Sequence, residues 1–108
     1  MVYTQEEIRK AVVPVAEKYH LRAVYLFGSY SRGTATEDSD IDLLIDTTGT
    51  EIRSLLQLAE VYCALEDALQ KKIDVITISS LEQKIIMPSE KDFRNNVWNE
   101  RVELYAVA

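Results

Sequence analysis

Apolar residues near the start of the chain recur at helical spacing. Ile8, Val12, Val15, Ala16 and Tyr19 fall on one face. Thr4, with Glu7 three residues on, has the form of a capping box, so a helix over Thr4–Tyr19 is predicted. Pro14 lacks a backbone donor and clashes with the preceding turn, which predicts a kink or a restart there. The pattern then changes. Arg22–Phe27 (RAVYLF) is short and nearly continuous in apolar residues, the mark of a buried strand. Gly28–Ser39 is polar and reads as a loop with one helical turn near its start, and Asp40–Ile45 (DIDLLI) reads as a second strand. Thr50–Lys71 is the longest predicted helix. Ile52, Leu55, Leu56, Ala59, Tyr62, Cys63, Leu65 and Leu69 form its apolar stripe, which places Cys63 in the core. Thr50 is its expected cap, and Lys71 and Lys72 suit its C-terminal dipole. Ile73–Ile78 (IDVITI) is rich in β-branched residues and reads as a third strand. Ser79 or Ser80 caps a further helix to about Ile86, and Pro88 opens another over Ser89–Val97. Arg101–Ala106 is either a fourth, edge strand or a helical continuation.

Short strands alternating with helices predict an α/β (α+β) fold, a small sheet with helices packed on it. At 108 residues a single domain spanning 1–108 is expected. Hydrophobic residues at 47% and charged residues at 28% argue against disorder. No apolar run approaches the ~20 residues a membrane-spanning helix needs. Met1–Lys10 lacks the apolar core of a signal peptide, so a cytoplasmic location is expected. One cysteine, Cys63, and one histidine, His20, exclude a disulfide framework and a Cys-rich zinc site. A net charge of −6 speaks against a general nucleic-acid binder, so no direct nucleic-acid partner is expected.

The candidate chemistry lies in Leu26–Asp46, LFGSYSRGTATEDSDIDLLID. Side chains alternate along a strand, so Asp40 and Asp42 share one face while Ile41 and Leu43 face the other. Like charges so placed repel each other, and a divalent cation with hard oxygen ligands (magnesium, manganese or calcium) relieves the repulsion. If the Ile73–Ile78 strand pairs beside Asp40–Ile45, Asp74 joins the cluster. Three carboxylates can hold two metals about 3.5–4 Å apart for in-line phosphoryl or nucleotidyl transfer. Gly28 lets the backbone approach a ligand, Ser29 offers a hydroxyl and an N–H to phosphate, and Arg32 adds a charged fork for a triphosphate. A calcium loop fails as a reading of Asp38, Asp40 and Asp42, because its sixth position is Leu43 and its twelfth is Gly49. The plain alternatives are a solvated acidic turn, turn glycines, a strand-end carboxylate at Asp74 and a surface charge at Arg32.

Gly28-Ser29, ten residues, then Asp40-x-Asp42 resembles the signature of the polymerase-β nucleotidyltransferase superfamily. The longer string FGSYSRGTATEDSDIDLLID, with Asp74, resembles the minimal nucleotidyltransferase (MNT) family in particular. The resemblance is sharpest over residues 26–46 and fades after about residue 80. It implies a polymerase-β-like fold with a small mixed sheet. It also implies transfer of a nucleoside monophosphate from ATP, with release of pyrophosphate. Gly28, Ser29 and Arg32 would bind the nucleotide. Asp40, Asp42 and Asp74 would be catalytic and hold magnesium in a two-metal site, with Asp74 a candidate base. Minimal members pair with helical HEPN-type ribonuclease toxins and neutralise them by adding AMP to a tyrosine, which implies a hetero-oligomer. The size of the chain supports a docked protein acceptor, since only a nucleotide-handling core is visible. Two other readings stand beside this one: an antitoxin that blocks its partner by occlusion with a vestigial site, and a transferase for a small acceptor.

Overall fold

The computed structural model describes residues 2–52, 54–78 and 95–107. Thr4 caps helix α1 (Gln5–Lys18) through the predicted capping box with Glu7. The helix runs unbroken through Pro14, so no restart occurs. Ile8, Val12 and Ala16 are buried on both sides of the proline, and that burial outweighs the one hydrogen bond it removes. Strand β1 (Ala23–Phe27) leads through Gly28 into a single helical turn, α2 (Ser29–Arg32). Strand β2 spans Ile41–Asp46, one residue later than predicted, so Asp40 stands just outside it.

Helix α3 (Leu55–Leu69) is shorter than predicted and is capped by Ser54, not Thr50. Thr50 is used instead in a tight turn, where its N–H and hydroxyl both donate to the Thr47 carbonyl. Ser54 and Gln57 form a reciprocal capping box four residues later. Of the predicted apolar stripe, Leu65 and Leu69 are buried and Ile52 and Tyr62 pack against the core, but the rest of the stripe is not buried. Val61, Leu65 and Leu69 are buried, whereas Leu55 and Leu56 are 85% and 80% exposed and Cys63 is exposed. Apolar residues occur around more than one side of this helix, so its period alone did not fix its phase. Gln70 ends it in the left-handed conformation, and Lys71 donates to the Glu37 carbonyl, away from the helix end.

Strand β3 (Ile73–Thr77) follows, and β4 (Val102–Ala106) takes the strand alternative for the tail. Residues 95–100 are helical. The two helices predicted over 79–86 and most of 89–97 lie outside the described residues. The sheet is mixed, in the order β3-β2-β1-β4. β1 is antiparallel to β2 and β4, and β2 is parallel to β3. Ile41, Leu43 and Ile45 alternate onto one face and pack with Val12, Val61 and Leu65 in the main core. Phe27, Leu44 and Val97 form a second cluster. Asp42 falls at an outward position of β2, between core residues, and is thereby held rigidly at the sheet surface. Among the described residues no helix is long and apolar enough to cross a membrane.

Candidate active site

Gly28 terminates β1 with φ 75° and ψ −152°, a region only glycine adopts without strain. Its neighbourhood also demands glycine. A methyl group there would run into the Asp42 carboxylate Oδ2 and stand 3.1 Å from its Cγ. The corner is closed by hydrogen bonds to the Gly28 carbonyl from the Ser31 N–H (3.0 Å), the Ser31 hydroxyl (2.7 Å) and the Arg32 N–H (3.2 Å). Ser31, in the fourth position of the loop, thus has a structural role. The sequence places Gly28 and Asp42 fourteen positions apart, and the antiparallel pairing of β1 with β2 brings Phe27 opposite Asp42.

The parallel pairing of β2 with β3 sets Asp42 directly beside Asp74. Partial burial, then the charges of Asp74 and Asp40, push the Asp42 carboxyl up from 3.8 to about 6, against the opposing pull of Arg32. The crowded Asp42 carboxyl therefore holds its proton to a higher pH than an ordinary aspartate. Asp42 and Asp74 meet, while Asp40 acts through its charge from just outside the strand. Among the described residues, no three Asp, Glu, His or Cys side chains converge as a ready metal cage. The oxygen-only donor pair, its unrelieved repulsion and the glycine cradle beside it nevertheless fit a hard divalent ion.

These residues wall a cleft of about 410 Å³. Gly28, Arg32, Asp42 and Asp74 line it together, with Phe27, Val75, Ile76 and Val97 forming an apolar part. Ser29, the first residue of α2, and Asp40 are half-buried and stand outside this lining. A larger open groove runs along α3, past Leu56, Ala59 and Cys63, and neither Asp42 nor Asp74 lines it. The carboxylates and the positive-φ glycine make the smaller cleft the chemical one.

The nucleotidyltransferase domain profile matches residues 7–104. The chain belongs to the nucleotidyltransferase domain family. Protein adenylyltransferase MntA of Thermococcus cleftensis is 40% identical over 86 residues, which cover 76% of this chain and 85% of that protein. The fold also matches a toxin–antitoxin complex solved with AMP-PNP, with a TM-score of 0.68 and 23% identity over 92% of this chain and 73% of that one. A third match is the complex of the tri-AMPylated Shewanella oneidensis HEPN toxin with its MNT antitoxin. It has a TM-score of 0.65 and 19% identity, covering 96% of this chain and 74% of that one.

In this nucleotidyltransferase, the C-terminal residues of the cleft are the ones sequence reasoning missed. Asn96, Val97 and Glu100 come from the helical segment 95–100. Glu100 Oε2 sits 2.8 Å from Arg32 Nη1. No local signal marks it, because an acidic residue near an acidic tail looks like ordinary surface charge. Only the return of β4 to β1, with Val102 opposite Leu26, carries the segment to the cleft.

Proposed function

We propose that this nucleotidyltransferase transfers AMP from ATP to a tyrosine of a HEPN-type toxin in the cytoplasm, acting as its antitoxin. The observation that carries the reading is the Asp42–Asp74 pair, held in parallel register against the Gly28 corner. The adenylyltransferase name of the Thermococcus relative and the AMPylated toxin in the Shewanella complex support the reaction and the partner. The AMP-PNP in the related complex supports ATP as donor.

Each residue then has a task. The Gly28–Ser29 backbone and the Arg32 guanidinium bind and orient the triphosphate, because backbone N–H groups and a planar fork both suit phosphate oxygens. Asp42 and Asp74, with Asp40, would hold magnesium. When bound, that ion neutralises phosphate charge and polarises the reacting phosphoryl group. Asp74 accepts the proton of the incoming tyrosine hydroxyl. The tyrosine oxygen bonds to the α-phosphorus, the bond to the β-phosphate oxygen breaks, and pyrophosphate leaves.

The test is incubation of the chain with α-labelled ATP, magnesium and a HEPN-type toxin. Label on the toxin, lost with Asp42→Asn, is expected. An unlabelled toxin, or full labelling by the variant, overturns the reading. Neutralisation by binding alone is a second reading, and the exposed Leu55 and Leu56 side chains favour it. An Asp40→Asn/Asp42→Asn variant that still neutralises at equal dose decides for it.

A further inference from the structure

Arg32 closes α2 and Glu100 closes the helical segment 95–100, and the two meet across the cleft that Asp42 and Asp74 wall. The Arg32 Nη1–Glu100 Oε2 distance is 2.8 Å. A guanidinium presents the same pair of donors to a carboxylate as to a phosphate, so one occupant excludes the other from that edge. Glu100 also adds a negative charge to a cleft that already holds two carboxyl groups. In both respects it opposes an anionic ligand.

We propose that Glu100 is a latch: its carboxylate occupies the phosphate-binding edge of Arg32 in the free chain, and a nucleoside triphosphate must displace it. The inference rests on the reading of Arg32 as a phosphate ligand. The pair is suited to displacement. The Arg32 and Glu100 side chains are 49% and 29% exposed, and ion pairs this open to water are weakly held. A triphosphate, with several charges and a hard cation beside it, competes well for the guanidinium. A ligand without phosphate does not compete at all. The latch therefore discriminates by phosphate charge. It also ties occupancy of the cleft to the C-terminal segment, because Asn96 and Val97, on the same helical turns as Glu100, wall the cleft too. Once Arg32 turns to phosphate, Glu100 loses its partner and the hold of this segment on α2 is released.

The experiment is calorimetric titration of the full chain with AMP-PNP and magnesium, and separately with adenosine. Glu100→Gln is expected to tighten AMP-PNP binding about two- to fivefold, the scale of an exposed ion pair. Adenosine binding should be unchanged. In an Arg32→Met background the same Glu100→Gln change should give a clearly smaller gain in AMP-PNP binding, what remains being the field of Glu100, and the difference is the coupling a double-mutant cycle isolates. Unchanged or weaker AMP-PNP binding by Glu100→Gln overturns the latch. An equal gain in the Arg32→Met background also overturns it, since Glu100 would then act by its field alone. If the wild-type chain binds no AMP-PNP, the nucleotide reading itself falls and the latch falls with it.

Discussion

Asp42 and Asp74 lie side by side on parallel strands, because the register of β2 and β3 holds the two carboxylates on the same face at the same level. A sheet built for stability alone would not pair them so, since like charges directly opposite each other destabilise. The core beneath supplies what the pair costs: Ile41, Leu43 and Ile73 are fully buried around it. Rigidity here is part of the chemistry, because an ion or a phosphate needs its ligands prepositioned.

The raised Asp42 carboxyl predicts a pH dependence of stability. Below Asp42's ordinary value of 3.8, the carboxyl is protonated in both folded and unfolded chains and contributes no difference. As pH rises towards about 6, the unfolded chain gives up a proton that the folded chain retains, so stability falls. Above about 6 the full penalty is present. Asp42→Asn should therefore raise the Tm relative to wild type above pH 6, with the gain fading towards pH 4. Thermal melts across that range measure it. Magnesium should raise the wild-type Tm at pH 7.5 but not that of Asp42→Asn.

Gly28→Ala should combine backbone strain with a collision against Asp42. A loss of about 1–3 kcal/mol is expected from the strain alone, together with loss of AMP-PNP binding. Gly33→Ala is the control. Gly33 also has a positive φ, 76°, but a methyl there meets nothing within 4 Å. It should cost about 1–2 kcal/mol and leave nucleotide binding intact. Urea unfolding and calorimetry on the two variants separate these outcomes.

The partly buried stripe of α3 predicts opposite results for two leucines. Leu65→Ala should cost about 2–5 kcal/mol, because Leu65 is fully buried. Leu56→Ser should stay within about 0.5 kcal/mol, because its side chain is in water. Cys63 should react with a thiol reagent in the folded chain without prior unfolding.

Tyr30 is 4% exposed, and its hydroxyl has no hydrogen-bond partner among the described residues. Tyr30→Phe removes that buried polar atom while keeping the ring, so stability should be unchanged or higher. A loss of more than about 1 kcal/mol in urea unfolding would contradict the absence of a partner.

The site was legible in the sequence to the extent that it is local. The Gly28 corner depends on a turn and the outward placing of Asp42 on strand alternation, both of which a short string reveals, whereas Asp40 lies one residue before the strand and escapes that rule. The adjacency of Asp74 was conditional on β2 pairing with β3, and that pairing occurs. The phase of α3 was legible only in part, at Leu65 and Leu69. Leu55, Leu56, Ala59 and Cys63 make as good an apolar row as Val61, Leu65 and Leu69, and only packing against α1 and the sheet chooses between them. The Ser54–Gln57 capping box was visible in the residues but competed with Thr50, whose hydroxyl the turn at Thr47 uses instead. Glu100 reaches Arg32 over 68 positions, a contact that exists only because β4 returns to the far side of β1.

Diffraction from crystals grown with AMP-PNP and manganese addresses the carboxylate pair most directly. Anomalous density bridging the Asp42 and Asp74 carboxylates, with the triphosphate against the Gly28 corner, is the predicted result. Manganese and nucleotide bound elsewhere, with no density between Asp42 and Asp74, would contradict a nucleotidyl-transfer centre at this cleft.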